Sequence, residues 1–206
     1  RICYALWDSG LQVGHAMRSI AESIRLGNKD MKVKTAMIDT RYLCGDRQLY
    51  DNFERAVREC FHSGNGDRFI RKKLEENLFR HERYGESVYL LEPDIKEGEG
   101  GLRDIHTALW ISKVRWGVKD LNELEIQGLL SPKDLSELKG SQDFLWRVRN
   151  ELHFVSGKHQ DQLTFDEQER VAIALGFTDD RTVKGVESFM RTYYLHAARI
   201  GRWASS

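Results

Sequence analysis

Residues Tyr89 to Trp116 read Y-L-L-E-P-D-I-K-E-G-E-G-G-L-R-D-I-H-T-A-L-W-I-S-K-V-R-W, and the rest of the chain is best understood by working outward from them. Val88 to Leu91 is apolar and reads as a short buried strand. Pro93 and the glycines at 98, 100 and 101 then punctuate a loop, and a helical pattern starts near Leu102. A glycine-rich loop therefore feeds a helix N-terminus, an end that offers unpaired backbone N–H groups and the positive pole of the helix dipole. Without Cβ atoms, Gly100 and Gly101 let an anion approach the backbone, with Lys96 and Arg103 flanking it. Asp104 either complements the dipole from the first turn or reaches a sugar hydroxyl or a metal. A glycine pair ahead of a helix also makes a plain turn, and neither standard nucleotide spacing is present. Gly157-Lys158 has no glycine five residues before it, and Gly98, Gly100 and Gly101 do not fit G-x-G-x-x-G.

The 206 residues, 24.0 kDa, suffice for one domain or one domain plus a fragment. Lys+Arg at 32 balance Asp+Glu at 32, which argues against binding nucleic acid through bulk charge, so any basic site must be local. Charged residues at 31% with only two prolines favour a helix-rich protein. Cys3, Cys44 and Cys60 are widely spaced, form no C-x-x-C, and suit a reducing, cytoplasmic setting. No apolar run is long enough for a membrane span. Arg1 in place of Met, followed at once by a strand-like run, reads as an excised piece of a longer polypeptide.

At the start, Ile2 to Trp7 is rich in β-branched and aromatic residues, Asp8-Ser9-Gly10 interrupts it, and Leu11 to Val13 resumes. One or two short strands are expected, with Asp8 at a strand end or in the bend. From His15 the texture is helical. Ala16 to Leu26 carries Met17, Ile20, Ala21 and Ile24 at helical spacing, and Asp30 and Asp46 cap the next two helices. Arg68 to Tyr84 places Phe69, Ile70, Leu74, Leu78 and Phe79 on one side. Its cations, Arg80 among them, interleave with glutamates as a solvated face. In the helix from Leu102, Ile105, Leu109 and Trp116 face the core. Ser131-Pro132 opens a long helix with a seam of Leu135, Leu138, Leu145, Val148, Leu152 and Val155, off which Arg147 and Arg149 lie. His153, His159 and Asp161 have a spacing that suits no standard metal site. Thr164 to Glu167 is a capping-box pattern, and the last helix turns Val186, Phe189, Met190, Tyr193, Ala197 and Ile200 to one face.

The run Glu92 to Trp110, E-P-D-I-K-E-G-E-G-G-L-R-D-I-H-T-A-L-W, resembles a signature of the bacterial PII uridylyltransferase/uridylyl-removing enzymes. A related K-x-G-x-G-G-x-R-[DE]-I run occurs in the sister glutamine synthetase adenylyltransferases. Three further stretches resemble the uridylyltransferases in the same order: L-W-D-S-G-L-Q-V-G-H-A-M-R at Leu6 to Arg18, D-F-L-W-R-V-R-N-E-L-H-F at Asp143 to Phe154, and V-E-S-F-M-R-T-Y-Y at Val186 to Tyr194. The likeness spans nearly the whole chain.

That resemblance implies a mainly α fold. Residues 1–15 would be the C-terminal edge of a polymerase-β-type nucleotidyltransferase sheet, and residues 16–206 a helical, bundle-like domain. It implies transfer of UMP from UTP to a tyrosine of the signalling protein PII, with Mg²⁺. Asp8 would be the last of three metal-binding carboxylates, and Lys96, Gly100, Gly101, Arg103 and Asp104 would contact the nucleotide. Two metals bridging phosphate oxygens need several carboxylates at fixed positions. No G-S with a following D-x-D occurs here, so the fragment alone is expected to be catalytically incompetent. No His-Asp dipeptide occurs either, which places the uridylyl-removing domain of the family outside these residues. Two alternatives stay open: a non-catalytic helical module that docks PII or couples regulatory domains, with Arg68 to Tyr84 as its face, and an adenylyltransferase-like fragment.

Overall fold

The computed structural model describes residues 2–62 and 64–205, and folds them into ten α-helices joined by turns, with one isolated antiparallel bridge between Asp94 and Gln162. The mainly helical expectation holds. The expected strands do not form. Ile2–Asp8 is helix α1, continued by Ser9 N–H to the Ala5 carbonyl and closed at Gly10, while the Trp7 indole N–H donates to the Val13 carbonyl. Strand propensity reports the fit of a side chain on a pleated surface, and among the described residues no strand lies beside this segment to provide one. Val88 to Leu91 is likewise a turn, with Tyr89 and Leu91 exposed.

The chain divides into two compact units, residues 1–65 and 66–206. In the first, α2 (Ile20–Lys29) packs against α3 (Met31–Ile38) and α4 (Arg47–Glu59). Ser19 and Glu22 form a reciprocal capping box on α2. Asp30 accepts from the Lys32 and Val33 N–H groups, and Asp46 from those of Gln48 and Leu49, the two caps expected from the sequence. Among the described residues of this unit, Met37 and Val57 are the buried apolar side chains.

The second unit contains α5 (Asn65–Tyr84), α6 (Leu102–Trp116), α7 (Leu121–Ile126), α8 (Pro132–Ser156), α9 (Phe165–Ala174) and α10 (Gly185–Ala204). Helix α10 is central, packing against α8, α9 and α6. Its Phe189, Met190, Tyr193, Ala197 and Ile200 meet Leu135, Leu138, Leu145, Val148 and Leu152 of α8 in one apolar cluster with Ile95, Ile105 and Leu163. Both seams lie where helical spacing put them. Trp116, expected inside, is half exposed beyond the end of that cluster.

Helix α5 departs furthest from expectation. Leu74, Leu78 and Phe79 face solvent, Phe79 with 68% of its surface exposed, while the stripe turned inward runs through Phe69, Lys73, Asn77, Arg80 and His81. The inward side therefore begins apolar and ends polar. Lys73 is accommodated because its ammonium pairs with Glu76 and lies 5.0 Å from the Trp110 ring. What the C-terminal half of that stripe serves is the loop between α5 and α6.

Candidate functional site

Residues 93 to 104 form a turn held almost entirely by its own backbone. Ile95 N–H donates to the Asp161 carbonyl at 2.8 Å and Leu163 N–H to the Pro93 carbonyl at 2.9 Å, which pins the turn to the connector after α8. Asp94 Oδ1 then accepts from the Lys96 and Glu97 N–H groups. The N–H of Leu102 donates to the Ile95 carbonyl, that of Arg103 to Lys96, that of Gly101 to Gly98 and that of Asp104 to Gly101. The chain therefore returns over itself and satisfies the first turn of α6, whose capping residue Gly101 contributes no side chain.

Two glycines make this return possible. A Cβ on Gly101 would lie 2.8–2.9 Å from the carbonyl oxygens of Gly98, Ile95 and Lys96, the same carbonyls that cap the helix. Gly100 has φ +72°, and a Cβ there would meet the Ala197 carbonyl oxygen at 2.3 Å. The glycine pair thus lets the loop fold onto α6 and α10. The amides that the sequence offered to a phosphate are engaged inside the chain, so an anion arriving here takes its contacts from side chains.

Those side chains are arranged around three carboxylates. Asp104 is 1% exposed. Its Oδ2 accepts from Gly100 N–H at 2.7 Å, and its Oδ1 from Arg80 and from His81 Nε2, the latter at 3.0 Å. Arg80, with 9% of its side chain exposed, also donates to the Glu97 carbonyl and to Asn77. Glu97 in turn receives the Arg103 guanidinium at 2.9 and 3.3 Å, with Lys96 Nζ 3.7 Å and Arg80 Nε 4.0 Å away. Asp161 receives Arg149 Nε at 2.7 Å and His153 Nε2 at 3.1 Å, with Lys96 Nζ at 3.7 Å. Arg103 also lies 5.8 Å from the centre of the Trp110 ring.

Burial pushes the Asp104 carboxyl up, but His81 and Arg80 outweigh it and hold the group below the usual carboxylate range. The same opposition leaves Glu97 low through Arg103, and Asp161 low through Arg149 and His153. A carboxyl depressed on folding binds fewer protons in the native than in the unfolded chain. Its contribution is complete above the unfolded value, about 4, and disappears as pH falls through the lower folded value. Urea midpoints of residues 66–206 are therefore expected to be level from neutral pH down to about 5 and to drop steeply below about 4. A midpoint that stays level to below pH 3 would mean these pairs contribute nothing.

Of the residues singled out from the sequence, Lys96, Gly100, Gly101, Arg103 and Asp104 come together at this turn, with Lys96 and Arg103 each about one-third exposed. Asp8 belongs to the other unit, exposed at the last residue of α1. One carboxylate cannot hold a magnesium ion that needs several oxygen ligands, and among the described residues no three His, Cys, Asp or Glu side chains converge as a metal site. The residues present do not fit that ion. Sequence reading assigned Arg80 to a solvated helix face, gave His81 no role, and did not connect Arg149 and Asp161 to the turn. His153 and Asp161 do meet, as an ion pair with Arg149. The hint in the sequence was the density of Arg and His on α5, which carries no long-range address.

The family described as GlnD PII-uridylyltransferase matches residues 68–206. A bifunctional uridylyltransferase/uridylyl-removing enzyme of Rhodospirillum rubrum is 46% identical over 198 residues, covering 96% of this chain and 21% of that protein. Proteins of the same description from Bradyrhizobium sp. strain ORS 278 and Azospirillum brasilense are 44% and 40% identical, covering 97% and 96% of this chain and 22% and 21% of theirs. The chain spans about a fifth of the length of these relatives. No helix among the described residues is long and apolar enough to cross a membrane. The turn of glycines that locks α5, α6 and α10 together lies within the stretch that the family match covers, and the chain belongs to the GlnD PII-uridylyltransferase family.

Proposed function

We propose that this chain is the helical part of a uridylyltransferase that moves UMP from UTP to a tyrosine of a PII-type signalling protein, and that Lys96 and Arg103 contact the phosphates. In that reaction the tyrosine oxygen bonds to the α-phosphorus as the bond to the bridging oxygen breaks and pyrophosphate leaves. The observation that carries the reading is that Arg103 and Lys96, inside the family match, are held side by side on a fixed turn with their charged ends partly open to solvent. Cations fixed in place before the ligand arrives stabilise charge developing on phosphate without reorganising. The Mg²⁺ such a transfer uses would need carboxylates other than those of this turn.

The test uses the full-length polypeptide that carries this sequence. Arg103→Ala is expected to raise the UTP concentration for half-maximal uridylylation of a PII-type protein severalfold while the protein stays folded; an unchanged UTP dependence removes Arg103 from the site.

One observation favours a second reading, in which the chain docks a protein partner. The outward face of α5 exposes Leu74, Leu78 and Phe79 amid charged neighbours. Hydrogen-exchange protection confined to residues 68–84 on adding a PII-type protein supports docking, and protection centred on residues 92–106 on adding UTP supports nucleotide contact.

A further inference from the structure

We infer that the Glu97 carboxylate is a built-in occupant of an anion site formed by Lys96, Arg103 and Arg80, and that a phosphate-bearing ligand binds there by displacing it. The inference rests on the reading of Lys96 and Arg103 as phosphate contacts and adds to it the residue that controls access. Three cations surround this one carboxylate: Arg103 at 2.9 and 3.3 Å, Lys96 at 3.7 Å and Arg80 at 4.0 Å. An anion placed among three converging cations is the arrangement a phosphate would adopt. Here the chain supplies that anion itself.

The geometry makes the occupant exchangeable. The backbone of Glu97 is fixed at both ends of its peptide: its N–H donates to Asp94 Oδ1, and its carbonyl accepts from Arg80. Releasing the carboxylate therefore requires only rotation of a side chain, which is fast and leaves the turn in place. Arg103 stays oriented after release because its guanidinium lies over Trp110 and its backbone N–H is held by the Lys96 carbonyl. Lys96 keeps Asp161 as a second partner. Asp104 cannot play this part. It is sealed from solvent and holds the Gly100 amide, whereas Glu97 has 19% of its side chain exposed.

Displacement means that a ligand's affinity is reduced by the strength of the internal pair. Neutralising Glu97 should tighten binding of a polyphosphate by about tenfold, the worth of one charge-assisted hydrogen bond. Inorganic tripolyphosphate is titrated calorimetrically into the full chain, into Glu97→Gln, and into Glu99→Gln, which changes net charge equally two residues further along the same turn. Tightening in Glu97→Gln with Glu99→Gln within twofold of the unaltered chain is the expected result. Equal binding by all three overturns the displacement and leaves Lys96 and Arg103 as phosphate contacts. Equal tightening in both variants also overturns it, because bulk charge would then be the cause. An absence of binding in all three overturns the displacement and the phosphate reading together. A second readout needs no variant: the Arg103 Nε–H resonance of the unaltered chain should shift on saturation with tripolyphosphate, and a fixed resonance with the anion bound elsewhere overturns the proposal.

Discussion

Asp104→Ala is expected to destabilise residues 66–206 by about 3–5 kcal/mol, seen as a fall of roughly 10 °C in thermal midpoint, because it breaks a buried charge pair from one side only. The carboxylate is 1% exposed and joins three elements: Arg80 and His81 of α5, the Gly100 amide of the turn, and α6, on which it stands. Without it Arg80 stays charged and nearly buried, its hydrogen bonds reduced to carbonyl and amide oxygens with the Glu97 carboxylate 4.0 Å away, and the Gly100 N–H loses its acceptor. A guanidinium cannot shed its proton to escape that cost. The macrodipole contribution of an acidic residue in a first helical turn is smaller, about 0.3–1 kcal/mol, so the desolvated pair dominates. Asp104→Asn separates the contributions. It retains an acceptor for one partner and is expected to lose about half as much, mostly through the uncompensated charge of Arg80. Urea unfolding followed by circular dichroism measures both variants. A loss under 1 kcal/mol for the alanine would show that water reaches Arg80 and that the pair is not structural.

The distance between the two partners of that pair explains which parts of the molecule the sequence disclosed. The seams of α8 and α10 were readable because helical spacing of Leu135 to Leu152 and of Phe189 to Ile200 is local information that packing then obeys. The caps at Asp30, Asp46 and Ser131 were readable for the same reason. Ile2 to Trp7 was misread because strand propensity needs a neighbouring strand to be realised. Helix α5 was misread because amphipathicity assumes an apolar surface on the inward side. Its C-terminal half instead faces a turn whose Glu97 carbonyl and Asp104 carboxylate call for donors, so Arg80 points in and Phe79 out. The gathering of Lys96, Arg103 and Asp104 was legible within a span of ten residues. The pairing of Arg80 with Asp104, or of Arg149 with Asp161 beside Lys96, depends on how helices return, which no local pattern records.

Gly100→Ala tests what the glycine pair is for. Gly100 and Gly117 have nearly the same positive φ, +72° and +71°, so an alanine at either meets a left-handed penalty of about 1–2 kcal/mol. Their surroundings differ. Nothing lies within 4 Å of a Cβ on Gly117, which ends α6 in open space, whereas a Cβ on Gly100 would sit 2.3 Å from the Ala197 oxygen and 2.7 Å from its carbonyl carbon. Those atoms belong to the backbone of the buried face of α10, and no rotamer change can move them aside. The turn must separate from α10, which forfeits packing against the buried Ala197 and adds about 2–3 kcal/mol. Gly117→Ala is therefore expected to cost about 1–2 kcal/mol and Gly100→Ala about 4, with chemical-denaturation midpoints reporting the difference. The comparison also separates two reasons for a glycine. Where it admits an anion to the backbone, alanine removes binding and leaves stability near that of an ordinary left-handed site. Where it admits another helix, alanine removes stability first. Equal midpoints for the two variants would return Gly100 to the anion reading, and a gap of 2 kcal/mol or more would assign it to the contact with Ala197.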